Sequence, residues 1–222
     1  SAETRWFFAG ALPDSVGGWF DPSDSARIEA ERTDEYLLLP GCTTTGVKLR
    51  EERLEIKAQV HPSEAVAYGE TLSGRRDAWV KWSRPVGDAG ALRNVRAADD
   101  DLWIYVAKAR RLRLLSLDCD TPTEPAEATA RVTNGCQFEL STVRAAAGRL
   151  DEPPSAADWS SARAWWSLSL EAFAPWSGDG TAPLFDNLEA GAQHLFGSLP
   201  PVELALPASY SYPAWLQRFT RP

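Results

Sequence analysis

Lys48 and Arg50, then Glu55 and Lys57, fall on alternate positions of VKLREERLEIKAQV (residues 47–60), opposite Val47, Leu49, Leu54, Ile56, Ala58 and Val60. Alternation with a period of two marks a β-strand with unlike faces. The break at Glu51-Glu52-Arg53 divides the segment into two such strands. The pattern recurs along the chain. Glu3, Arg5 and Phe7 share a face of ETRWFFAG, and Lys81 lies between Trp79 and Ser83. Lys108 and Arg110 share a phase opposite Arg111 and Arg113, while Glu139 follows Gln137 and precedes Ser141, and Glu171 follows Ser167 and Ser169. Converging Lys and Arg donors are what a phosphate chain requires, because each phosphoryl group carries its own charge. Carboxylates among those cations are the ligands that Mg²⁺ or Mn²⁺ would use. On an open sheet with one wet face the same residues would instead pair across strands for small gains. The two arrangements differ in whether the charged face meets a lumen or bulk water.

The elements that must position these residues are mostly strands. Strand-like runs occur at 3–10, 35–41, 47–60, 77–83, 101–118, 129–145 and 164–174. The run at 101–118 reads as one long strand or as a tight hairpin around Lys108–Arg111. Asn134-Gly135 is a two-residue hairpin turn candidate. DSVGGWF suggests one helical turn, and the Pro-rich stretch before residue 164 reads as a loop. Residues 186–199 fit a helix with Asp186 or Asn187 as N-cap and Leu188, Ala192, Leu195 and Phe196 along one face. About eight to ten strands without helices between them predict an α+β fold: a mainly antiparallel β tunnel barrel, closed or nearly closed, with a few peripheral helices. The barrel is expected over residues 1–175. Residues 176–222, a helix and a tail rich in Pro and aromatics, are expected to pack on the same domain.

Composition narrows the function. The chain has 222 residues, a net charge of −8 and ten tryptophans. An acidic chain is a poor general binder of nucleic acid or anionic membrane, so an anion site must be a local basic cluster. Cys42, Cys119 and Cys136 form no disulfide framework, and His61 and His194 have no partner at metal-ligand spacing. No run approaches a membrane span, and cytoplasm is the compartment expected. The absence of methionine leads us to expect a start upstream of Ser1. No phosphate-binding glycine loop, nucleophile elbow or His-Glu-x-x-His motif is present.

With ETRWFF at the start, the VKLRE and LEIKA pair, the basic AKARRLR run, and late FELS and SLEAF strands before a helix, the chain resembles the CYTH superfamily of triphosphate tunnel proteins, related to thiamine triphosphatase and class IV adenylate cyclase. The resemblance implies that Lys48, Arg50, Lys57, Lys81, Lys108 and Arg110 bind a small polyanion such as a triphosphate, and Arg5, which stands where the family has a carboxylate, is expected to add positive charge to the same binding site. It further implies that Glu3, Glu139 and Glu171 hold Mg²⁺ or Mn²⁺, with Glu139 and Glu171 catalytic and Glu55 a substitute, in a phosphohydrolase. The family's opening Glu-x-Glu-x-Lys reads Glu3, Arg5 and Phe7 here. Its late Glu-x-Glu strand is reduced to Glu139 with Ser141, or Ser169 with Glu171. The alternative from the residues alone is a non-catalytic binding protein with a tryptophan-rich pocket or surface.

Overall fold

The computed structural model describes residues 1–86, 103–119, 121–125, 132–148, 153–175 and 180–218. Eight strands form a closed antiparallel barrel: β1 (Ala2–Ala9), β2 (Arg27–Leu37), β3 (Thr45–Arg50), β4 (Arg53–Tyr68), β5 (Leu72–Pro85), β6 (Trp103–Ser116), β7 (Gly135–Gly148) and β8 (Ala164–Phe173). Around the barrel the order is β1-β5-β4-β3-β2-β6-β7-β8, returning to β1. Among the described residues four α-helices accompany it: α1 (Asp14–Phe20), α2 (Ala156–Ser161), α3 (Ala182–Leu195) and α4 (Tyr212–Leu216). The α+β barrel is thus as the sequence predicts. Among the described residues no helix is long and apolar enough to cross a membrane.

Period-two alternation gives the barrel two unlike apolar layers. On β1, Ala2 and Trp6 face outward, joining Phe138, Leu140, Leu168 and Leu170 in a layer that α1 covers with Val16 and Phe20 and α3 with Leu188, Ala192 and Leu195. Each fully buried Leu or Phe here contributes about 1.5–3 kcal/mol. Helix α3 lies so close to β7 that a Cβ on Gly191 would meet Cys136 Sγ at 2.6 Å, so the small residue sets the approach. The second layer is inside the barrel at one end: Phe7, Ile104, Val106 and Val143, with Trp215 and Leu216 of α4 inserted as a plug. Phe7 stacks on Trp215 at 4.5 Å.

The tail reaches that end along a seam. β1 pairs with β5 only over Ala2–Thr4. Beyond it, the Tyr210 amide donates to the Arg5 carbonyl at 3.0 Å, and the Arg75 amide donates to Ser209 Oγ at 2.8 Å. The chain then turns into α4, capped by Ser211 Oγ.

Several local expectations change. β6 is one continuous strand, paired with β7 from Trp103↔Gly148 to Ser116↔Gly135. Asn134-Gly135 is no hairpin turn. Gly135 opens β7, where a Cβ would stand 2.1 Å from the Leu115 carbonyl oxygen. The run expected at 35–41 is the end of β2, which begins at Arg27 and stops at Leu37 before Pro40. Helix α3 starts at Ala182 with Thr181 as N-cap and a Pro in its first turn. Asn187 is therefore inside the helix, donating to Asn134 Oδ1 at 2.7 Å and the Phe173 carbonyl at 2.8 Å. The stretch read as a loop before residue 164 holds α2, started by a Ser155/Asp158 capping box. The split at Glu51-Glu52 is the β3–β4 hairpin turn, with both residues at positive φ (47° and 59°).

Candidate functional site: the charged barrel interior

The faces named from the alternation converge inside the barrel. Arg5, Lys48, Arg50, Lys57, Lys81, Lys108 and Arg110 line one cavity of about 230 Å³, together with Glu3, Glu55, Glu139 and Glu171. Five strands supply the cations: β1, β3, β4, β5 and β6. The apolar side of β3 and β4 is the outer one, so the pattern is inverted relative to an ordinary wet sheet. Val60 and Trp82 on that outer side are more than half exposed.

Two ionic clusters organise the lumen. The first surrounds Asp34 on β2, a residue with no exposed surface. Arg50 grips it with two bonds of 2.7 Å, Lys108 Nζ lies at 2.9 Å, Lys48 Nζ at 3.4 Å and Arg32 Nε at 3.6 Å. Burial alone would raise the Asp34 carboxyl, but the Arg50 hydrogen bonds and the surrounding cations hold it far below the usual range. Lys48 moves the opposite way. Burial and the neighbouring Lys108 ammonium bring it down to about 7 despite Asp34 and Glu55. Lys48 and Lys81 each approach Glu55 at 2.9 Å. Burial would raise Glu55 too, yet these partners hold it at about 2.

The second cluster is built on β1. Arg5 Nε donates to Glu3 at 2.7 Å, and its Nη1 donates to Glu139 at 3.0 Å and Ser167 Oγ at 3.2 Å. Arg110 Nη1 holds the other Glu139 oxygen at 3.0 Å, and Ser141 Oγ donates to Glu139 at 2.8 Å. Lys57 Nζ bridges Glu3 at 2.5 Å and Glu171 at 3.4 Å. Burial opposes ionisation of Glu3 and Glu139, and the adjacent cations overcome it, leaving Glu3 at about 2 and Glu139 lower still.

This wiring bears on a metal. Both oxygens of Glu3 hold Arg5 and Lys57, both oxygens of Glu139 hold arginines, and Glu171 is engaged by Lys57 and by Ser1 Oγ at 2.8 Å. Among the described residues no three His, Cys, Asp or Glu side chains stand close enough to hold a metal ion. As arranged, these carboxylates carry guanidinium and ammonium groups and do not fit a resident Mg²⁺ or Mn²⁺.

Three site residues escaped the sequence reading. Asp34 and Tyr36 share the lumen face of β2, but the acid and base run Glu29–Glu35 hid the strand that carries them. Tyr212 enters from the tail. Its ring stacks on Tyr36 at 5.5 Å and lies under Arg5 at 4.9 Å and Lys108 at 4.6 Å. A larger groove of about 440 Å³ lies outside the barrel against α1, lined by Pro13, Gly17, Arg111, Thr142 and Trp165 among others. The convergent charges are not there.

No protein-family model matches the chain, and no curated protein matches it. Among solved structures, the PH1012 protein from Pyrococcus horikoshii OT3 is similar over 88% of this chain and 90% of that one, at 12% identity and a TM-score of 0.36. So distant a likeness adds nothing to the fold, which the strand registers define by themselves.

Proposed function

We propose that the barrel interior binds a compact polyanion, a short phosphate chain of the kind that triphosphate tunnel proteins take. One observation carries the reading. Seven cationic side chains converge on one small cavity, against its four lining carboxylates and Asp34, which pairs three of those cations, in a chain whose net charge is −8. Donors converging from five strands are what a phosphate chain requires. The cavity is smaller than the roughly 300–1,000 Å³ of pockets that enclose drug-sized ligands. A short phosphate chain suits it, and anything larger projects past Lys81, whose side chain is 49% exposed, whereas Lys108 at 4% sits deep. An apolar lumen with the Lys and Arg faces outward would have favoured the alternative, a non-catalytic binding protein with a tryptophan-rich pocket; the lumen instead carries those charged faces.

Calorimetric titration with tripolyphosphate tests this at low salt, with sulfate as control. Binding tighter than sulfate is expected. Lys57→Ala and Arg110→Ala are each expected to weaken it by about 1–3 kcal/mol, the worth of a charge-assisted contact. No heat at millimolar tripolyphosphate contradicts the reading.

Lys48 gives the binding a pH dependence. With its ammonium at about 7 in the free protein, a polyanion beside it restores the charged form, so binding takes up a proton near neutral pH. Affinity is then expected to fall as pH rises from about 6 to 9, by up to about tenfold per pH unit for one coupled proton. Titrations in two buffers of different ionisation enthalpy read the uptake directly. Equal heats in both buffers at pH 7.5 contradict it.

A further inference from the structure

One residue of the cavity wall, Tyr212, holds a buried polar atom, its hydroxyl oxygen, that has no hydrogen-bond partner among the described residues. A buried phenol normally finds a partner, and leaving one unmade is costly. Ser211 Oγ caps α4, and Ser209 Oγ donates to the Arg5 carbonyl. Trp215 and Leu216 are locked into the apolar plug. The ring itself is fixed by Tyr36, Phe7 and Trp215. Arg5 and Lys108 lie over the faces of that ring, 4.9 and 4.6 Å from its centre.

Tyr36 repeats the theme. Its hydroxyl accepts from Lys108 Nζ at 3.1 Å, and it also lines the cavity. Burial pushes both phenols up, so that at ordinary pH each stays protonated and able to donate.

We propose that Tyr212 is a ligand-binding residue, donating its hydroxyl proton to an oxygen of the group that reaches the closed end of the cavity, where Lys108 and Arg5 supply the charge. This rests on the polyanion reading above and adds to it: the C-terminal segment becomes part of the binding site as well as the plug of the barrel. It also sets a preference for ligands that end in an oxyanion over those whose end has no acceptor.

The test pairs two measurements on wild type and Tyr212→Phe: thermal unfolding without ligand, and calorimetry with tripolyphosphate. The substitution removes one oxygen and keeps the ring contacts. The ligand-free variant is expected to unfold at the same temperature or a few degrees higher, because an unsatisfied buried group is gone. Its affinity for tripolyphosphate is expected to fall about tenfold, the loss of one hydrogen bond to a charged acceptor. Unchanged affinity in the variant, with wild type binding normally, overturns the role of Tyr212 and leaves the polyanion site standing. A lower melting temperature in the variant shows that the hydroxyl is bonded in the free protein and overturns it as well. If wild type itself binds no tripolyphosphate, the polyanion reading fails and this inference with it.

Discussion

Asp34→Asn is expected to destabilise the ligand-free protein by about 3–5 kcal/mol, the cost of breaking a buried ion pair from one side. Asp34 is wholly buried and is the common partner of Arg50, Lys108, Lys48 and Arg32. An amide keeps the shape but offers neutral oxygen where a full charge held four cations, and its NH₂ faces donors. Three strands, β2, β3 and β6, lose their shared anchor at once. The consequence for binding has the opposite sign. The freed cations attract an anion more strongly, so tripolyphosphate raises the variant's melting temperature by more than the wild type's, as ligand linkage requires. Urea unfolding measures the first, and thermal unfolding with and without tripolyphosphate the second. A loss below about 1 kcal/mol would show that water or rearranged partners already screen the cluster.

Glu139→Gln is expected to tighten polyanion binding about tenfold while lowering ligand-free stability by about 2–4 kcal/mol. Glu139 occupies Arg5 and Arg110, each at 3.0 Å, and stays ionised at neutral pH because those guanidinia overcome its burial. A bound phosphate chain must compete with this carboxylate for the same donors. Neutralising it removes the competitor and leaves two oriented guanidinia. Calorimetry reads the gain, and a weaker affinity in Glu139→Gln would mean that the carboxylate positions Arg5 and Arg110 rather than competing for them.

The barrel was legible because most of its strands keep a period of two. Lys48, Arg50 and Lys57 could be placed on one face from spacing alone, and the same phase on β1, β6, β7 and β8 pointed to a shared interior. The direction of that face was harder. Val47, Leu49 and Ile56 form the apolar side of β3 and β4, and they lie outside, only partly covered. A single hairpin read in isolation would have buried them. Only the recurrence of charge around the whole ring reverses that choice.

What stayed hidden has physical causes. Asp34 lies in a run so polar that propensity shows no strand, and its pairing with β6 supplies what the local sequence lacks. The Glu51-Glu52 turn takes positive φ at two residues without the Asn or Gly that usually marks it. Tyr212 follows a proline-punctuated tail with no periodicity, and its place is decided at long range, by Trp215 entering the barrel and by Ser209 bonding β1 and β5. The ligand-facing chemistry of that segment is a tertiary property.

Polyanion binding in the lumen fixes where a phosphate chain must sit. A crystal structure of the protein with tripolyphosphate tests it most directly. The expected result is the chain inside the barrel, its oxygens within hydrogen-bond distance of Lys48, Lys108, Arg5 and Arg110, with the innermost oxygen at Tyr212 Oη. A lumen without the chain in crystals saturated with tripolyphosphate, or the chain bound only on the outer surface, would contradict it.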